Sequence, residues 1–107
     1  PAFGMNVCIE GDVPLARGLG SSVTARLGCV AALNQLCGEV LDRDGLFQLV
    51  TRLEGHPDNA APALFGGFTA STMVGTAARA IRFPVSSRAR FVTLIPNFEV
   101  STPMARK

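Results

Sequence analysis

The sequence predicts a fold of interspersed helices and strands, α/β or α+β, on three observations. Residues 5–10 alternate in polarity, as a strand with one face on a core does. Two later stretches carry apolar residues at helical spacing. Beyond a glycine pair the chain returns to short β-type runs bounded by turn residues.

In the first stretch Met5, Val7 and Ile9 point one way and Asn6, Cys8 and Glu10 the other. A turn-rich, glycine-rich segment follows from Gly11 to Gly20. Residues 21–37 then run without a breaker apart from Gly28, and Gly38 sits where a helix C-cap is expected. The apolar positions of this helix (Val23, Leu27, Val30, Leu33, Leu36 and Cys37) have few charged neighbours, so burial on most sides is expected. Asp42 is placed to cap a second helix, with Leu46, Leu49, Val50 and Leu53 at helical spacing and Gly55 and Pro57 to end it. A short third helix is expected over 58–65. Gly66-Gly67 opens a strand through about Val74, and 80–85 and 91–95 are further strand candidates, the last stopped by Pro96. There is no internal repeat, low-complexity tract or linker.

Hydrophobic residues make up 48% and charged residues 17% of the 107 positions, a balance that excludes a disordered tail and calls for a packed core. The net charge is only +2, and the basic residues are scattered rather than clustered. With neither Trp nor Tyr, the chain has no electrostatic or stacking footprint for nucleic acid. Cys8, Cys29 and Cys37 lie in apolar segments without C-x-x-C spacing, and one histidine is available to help. Zinc and a disulfide framework are therefore not expected. Buried, reduced thiols in a cytoplasmic protein are. No apolar run reaches the ~20 residues of a membrane span, and no signal-peptide pattern is visible. Both ends read as cuts through structure: Pro1 approaches a strand, and Ala105-Arg106-Lys107 opens a helix.

The strongest chemical signal is Pro14-Leu15-Ala16-Arg17-Gly18-Leu19-Gly20-Ser21-Ser22. Gly18 and Gly20 permit a tight wrap with N–H groups turned inward. The helix that follows adds unpaired N–H groups and the positive end of its dipole. Ser21 and Ser22 supply hydroxyls for phosphate oxygens or magnesium. A glycine turn followed by a serine N-cap accounts for the same residues without a ligand. The loop is neither G-x-x-x-x-G-K-[ST] nor G-x-G-x-x-G. The second signal is Glu54-Gly55-His56-Pro57-Asp58-Asn59, where Pro57 sets the relation between the flanking side chains. Here too a plain reading exists, with Asp58 as an N-cap and His56 as a loop histidine.

The string from Pro14 to Ser22 resembles the ATP-binding motif of the GHMP kinases, with Val23-Thr24 where small residues are usual. Glu54 to Asn59 resembles the corresponding segment of their homoserine-kinase branch, and Ser101-Thr102-Pro103-Met104-Ala105-Arg106 resembles that branch's S-T-x-x-A-R. The resemblance implies an α+β fold, part of an N-terminal domain like domain 2 of ribosomal protein S5, with helices packed on a mixed sheet. It implies ATP and Mg2+ as cofactors and transfer of phosphate to the hydroxyl of L-homoserine, on the way to threonine. Pro14, Arg17, Gly18, Leu19, Gly20, Ser21, Ser22, Val23 and Thr24 would hold ATP. Ser22, Asp58 and Asn59 would serve the chemistry, and His56, Thr102 and Arg106 would hold homoserine. Eight positions before the histidine, where many of these enzymes place a magnesium-binding glutamate, stands Gln48. A neutral amide is a poor ligand for a hard dication, so either Glu54 or another carboxylate is expected beside Ser22 in the metal role, or magnesium binding is weaker.

Three expectations extend beyond the chain itself. It covers only part of an N-terminal domain, the second domain lying elsewhere. Alone it is expected to be marginally stable, with unpaired sheet edges and no turnover. A homodimer of the full-length protein is one assembly the reading allows. Rival readings are a GHMP kinase acting on mevalonate, a sugar or shikimate, and a non-catalytic nucleotide-binding relative motivated by Gln48.

Overall fold

A computed structural model describes residues 4–95 and 97–98. Three helices and one hairpin follow in order: α1 (Ser21–Leu36), α2 (Arg43–Glu54), α3 (Ala60–Phe65), β1 (Phe68–Val74) and β2 (Ala77–Phe83). Thr102 and Arg106 lie outside the described residues.

α2 shows most directly why these residues form these elements. The Asp42 side chain accepts a hydrogen bond from the Gly45 amide at 2.8 Å, satisfying one orphan donor of the first turn. Asp44 in the first turn and Arg52 in the last oppose the helix dipole with the favourable signs. Phe47, Val50 and Thr51 are buried along one stripe. Phe47 and Val50 meet Val23 of α1, Ala60 and Ala61 of α3 and Ala78 of β2 in a single core cluster. The Phe47 ring meets Phe65 edge to face, with centroids 5.2 Å apart. Burying Phe47 and Val50 stabilises the fold by roughly 1.5–3 kcal/mol each.

α1 and α2 run antiparallel, and their connection is clamped by one side chain. The Asn34 amide donates to the Leu41 carbonyl and accepts from the Leu41 N–H, both at 2.8 Å. β1 and β2 pair antiparallel from Phe68↔Phe83 to Val74↔Ala77. Gly75 takes φ 61°, as a two-residue hairpin loop of the II′ class requires at its first position. Gln48 ties the hairpin to α2. Its oxygen accepts from the Ala78 N–H at 2.8 Å, and its nitrogen donates to the Ala78 carbonyl at 2.9 Å.

The class is α+β, and the three helices and the strand after Gly66-Gly67 lie where the sequence placed them, within one or two residues. Several expectations need correction. The strand expected over 80–85 begins at Ala77, because the tight Gly75-Thr76 turn lets pairing start at once. Residues 5–10 and 91–95 are not strands. Alternation builds a strand only where a neighbour supplies ladder partners, and among the described residues no strand lies beside either segment. Met5, Val7 and Ile9 are exposed accordingly, as are Val92 and Leu94. The sheet among the described residues is therefore a two-stranded antiparallel one rather than mixed. α1 buries only Val23 completely, with Leu27 and Val30 packed at the core's margin and Leu36 exposed. One stripe of the helix faces α2 and α3, and no described element covers the rest. No disulfide links the cysteines, but Cys8 and Cys37 are exposed and Cys29 half-buried, not buried as expected. No described helix is long and apolar enough to cross a membrane.

Candidate active site

The glycine-rich loop enters α1 through alternating backbone hands. Ala16, Gly18 and Gly20 have φ of 53°, 72° and 74°, whereas Arg17 and Leu19 between them do not take positive φ. Such alternation turns successive N–H groups toward one side, forming an anion-binding nest. Gly20 is itself the N-cap, and no side chain caps α1. The serine N-cap, the ligand-free explanation of this loop, is thus not the arrangement found. The first turn also contains no acidic residue. Arg17 adds a buried Nη1 without a hydrogen-bond partner among the described residues. An uncapped helix N-terminus, a nest and an orphaned guanidinium nitrogen all ask for the same thing, a group with several anionic oxygens. The phosphates of a nucleotide fit that demand.

One turn into α1, the Ser22 hydroxyl donates to Glu54 Oε1 at 2.8 Å. Glu54 is the last residue of α2, so the antiparallel helix pair brings the two together from 32 positions apart. The carboxylate is nearly enclosed, its side chain only 7% exposed, and Arg26 Nη1 reaches the same oxygen at 2.6 Å. The described residues contain no group of three or more His, Cys, Asp and Glu side chains able to hold a metal ion. A hydroxyl and one carboxylate still suit magnesium, which keeps several waters and takes phosphate oxygens as ligands instead of a full protein cage. Gln48 is not in this group. It faces β2, where both ends of its amide are engaged with Ala78.

Between α2 and α3 the chain turns at Gly55, and Pro57 is buried beneath the turn. His56 Nδ1 meets Asp58 Oδ1, which also accepts from the Asn59 N–H at 2.9 Å. A carboxylate only accepts, so the shared proton sits on Nδ1 and the Nε2 edge of the ring is not engaged by Asp58. Asn59, not Asp58, is the N-cap residue of α3, and its side chain makes no capping bond. Its amide carbon lies 3.9 Å from where a Cβ on Gly20 would stand. The histidine segment and the glycine loop are therefore neighbours at Gly20 and Asn59.

Of the residues singled out in the sequence, the fold gathers Gly20, Ser22, Glu54 and Asn59, with His56 and Asp58 on the same turn. It sends Gln48 elsewhere. Arg26 escaped the sequence reading, although a signal existed: it is the only charged residue of α1, one turn beyond Ser22 on the same face. Ala16 was missed because a positive φ at alanine leaves no mark in the sequence.

Comparison with known proteins gives the same two motifs a context. Residues 2–67, more than half of the chain, match the GHMP kinases N terminal domain. A homoserine kinase of Thermus thermophilus is 45% identical over 105 residues, covering 98% of this chain and 35% of that protein. One from Deinococcus radiodurans is 45% identical over 98 residues, 92% of this chain and 32% of the relative. One from Clostridium botulinum is 42% identical over 103 residues, 96% and 35% respectively. The chain thus spans about a third of the length of the curated relatives it matches. With the loop and the histidine segment both inside the matched stretch and side by side in the fold, this chain belongs to the GHMP kinase family through its N-terminal domain.

Proposed function

We propose that the protein carrying this chain phosphorylates the hydroxyl of L-homoserine with ATP, and that the chain forms part of its ATP-binding N-terminal domain. The observation that carries the reading is the meeting of Ser22, at the mouth of the glycine loop, with the enclosed Glu54 carboxylate. In this reading the nest from Pro14 to Gly20, the side chain of Arg17 and the first turn of α1 through Thr24 hold the phosphates. Ser22 and Glu54 would be the protein's ligands to Mg2+. A bound Mg2+ would draw off charge from the phosphate oxygens as the bond to the leaving group lengthens.

The chain's own residues do the positioning. Asp58 fixes the ring of His56 by accepting a hydrogen bond from Nδ1; in this reading the Nε2 edge meets the amino-acid substrate. Asn59 lies beside Gly20, and in this reading it would stand between that substrate and the phosphate loop. Asp58, already engaged by His56 and by the Asn59 N–H, acts here as an orienter of the site, and phosphoryl transfer runs largely on such positioning. Thr102 and Arg106 join as substrate contacts on the resemblance alone. Arg106 suits a carboxylate because a guanidinium grips one with two parallel bonds. The names of the relatives support homoserine as the acceptor. The unpaired thiols support a cytoplasmic setting. Gln48, the motive for a non-catalytic alternative, is occupied as a brace, and Glu54 supplies the carboxylate that alternative lacked.

The test uses the full-length protein with ATP, Mg2+ and a panel of homoserine, mevalonate, galactose and shikimate, with products followed by phosphorus NMR. Phosphohomoserine alone is expected. A different phosphorylated product keeps the kinase and removes the homoserine assignment. ATP binding with no product from any acceptor refutes the catalytic reading.

A further inference from the structure

We propose that Arg26 is a positioning residue of this site, holding the Glu54 carboxylate so that one oxygen is kept for the cation beside Ser22. The inference rests on the reading of Ser22 and Glu54 as cation ligands and goes beyond it, since Arg26 belongs to neither signature motif. Its guanidinium Nη1 has two acceptors, Glu54 Oε1 at 2.6 Å and the Leu53 carbonyl at 3.0 Å. The carbonyl belongs to the backbone at the end of α2, so the guanidinium is anchored on the same element as the carboxylate it orients. Ser22 donates to the same oxygen from one turn earlier in α1. Two donors thus converge on Oε1, while Oε2 accepts no hydrogen bond from any described residue. That is the arrangement of a metal-ligating carboxylate whose outer oxygen is fixed by its surroundings and whose inner oxygen is open.

An ordinary surface ion pair is the competing account, and the Arg26 side chain is 46% exposed. Surface pairs contribute little because both side chains stay mobile in water. Here one partner is enclosed, its carboxylate only 7% exposed, and the guanidinium has a second, backbone anchor. The pair fixes a geometry that a free surface pair would not.

The test measures Mn2+ binding to the full-length protein with ADP present, by electron paramagnetic resonance, so that turnover is not required. Arg26→Ala is expected to raise the Mn2+ dissociation constant about tenfold, the usual range for loss of an outer-shell partner. In steady-state assays it should raise the Mg2+ concentration for half-maximal rate by a similar factor, with kcat recovered at saturating Mg2+. Arg26→Lys should recover most of the loss, because an ammonium reaches both acceptors. If Arg26→Ala fails to fold, Arg26→Gln serves, keeping the N–H donors and removing the charge. An Mn2+ constant within twofold of wild type, with only a lowered melting temperature, reduces Arg26 to a structural ion pair and overturns the proposal. Tighter Mn2+ binding overturns it too, showing Arg26 to be a competitor for the carboxylate. Glu54→Gln separates the two levels: if it leaves Mn2+ binding unchanged, the cation site itself is wrong and Arg26 has nothing to position. If Glu54→Gln weakens binding and Arg26→Ala does not, only the Arg26 proposal fails.

Discussion

Substituting Gln48→Glu decides between a metal ligand and a brace at that position. In the native arrangement the amide nitrogen donates to the Ala78 carbonyl at 2.9 Å, and Ala78 is 1% exposed, so water does not replace a lost donor there. Glutamate puts a charged oxygen where that donor stood. Leaving a buried carbonyl unsatisfied costs about 1–3 kcal/mol. Asp44, whose Oδ1 lies 3.4 Å from the Gln48 nitrogen, adds a like-charge contact of about 0.2–0.5 kcal/mol. The ceiling is set by protonation: taking a glutamate of ordinary pKa ~4.3 to its neutral, donating form at pH 7 costs about 4 kcal/mol. A loss of about 2–3 kcal/mol is therefore expected at pH 7. It should shrink as the pH falls toward ~4.3, where the new carboxyl takes up its proton at little cost. The assay is urea unfolding of the full-length protein followed by far-UV circular dichroism, where such a loss moves the midpoint by about 1 M. An Mg2+ titration of the same protein should be unchanged. A variant as stable as wild type that binds Mg2+ more tightly would refute the brace and restore position 48 to the metal site.

Three other outcomes follow from the geometry. Gly20→Ala forces a side chain onto a residue at φ 74°, costing about 1–2 kcal/mol in a thermal melt and raising the KM for ATP, since the backbone there shapes the nest. Arg17→Ala removes a charged donor with a buried, unpartnered nitrogen. It should raise the KM for ATP by about 10- to 100-fold, the value of a hydrogen bond to a charged group, with the melting temperature nearly unchanged. Phe47→Ala empties the centre of the core and should destabilise the protein by about 3–5 kcal/mol, read as loss of soluble protein or of the cooperative melt.

What was legible in the sequence was local. Asp42 followed by a helical stripe, the Gly66-Gly67 pair before a β-type run, and the glycine loop before a long apolar helix each carry their meaning within a few residues. The illegible part was partnership. Met5 to Glu10 has an excellent strand pattern, but a pattern does not say whether another strand lies within hydrogen-bonding distance. The roles of Gln48 and Glu54 turned on the same difficulty. The resemblance marked Gln48 as standing where a glutamate is usual and named Glu54 as a candidate in its place, but the hydrogen bond of Ser22 to Glu54 and the tie of Gln48 to Ala78 depend on packing between elements. Arg26 and Asn34 act across 28 and 7 positions respectively, each on a partner outside α1, so neither reach is written in the pattern of a single helix.

The Asn34 clamp has a geometric consequence. It closes the short connection between α1 and α2, and Ser22 and Glu54 lie at the far ends of those two helices. The pair behaves as a caliper whose pivot is at one end and whose jaws are at the other. α1 has 16 residues and so is about 24 Å long, and a change of one degree at the pivot moves its tip by about 0.4 Å. Displacements near 1 Å are enough to cost a reaction about 100-fold in rate. A polar amide well removed from every reacting atom thus sets the jaw opening, and variation in residues 37–41 is constrained by an angle rather than by contact with a ligand.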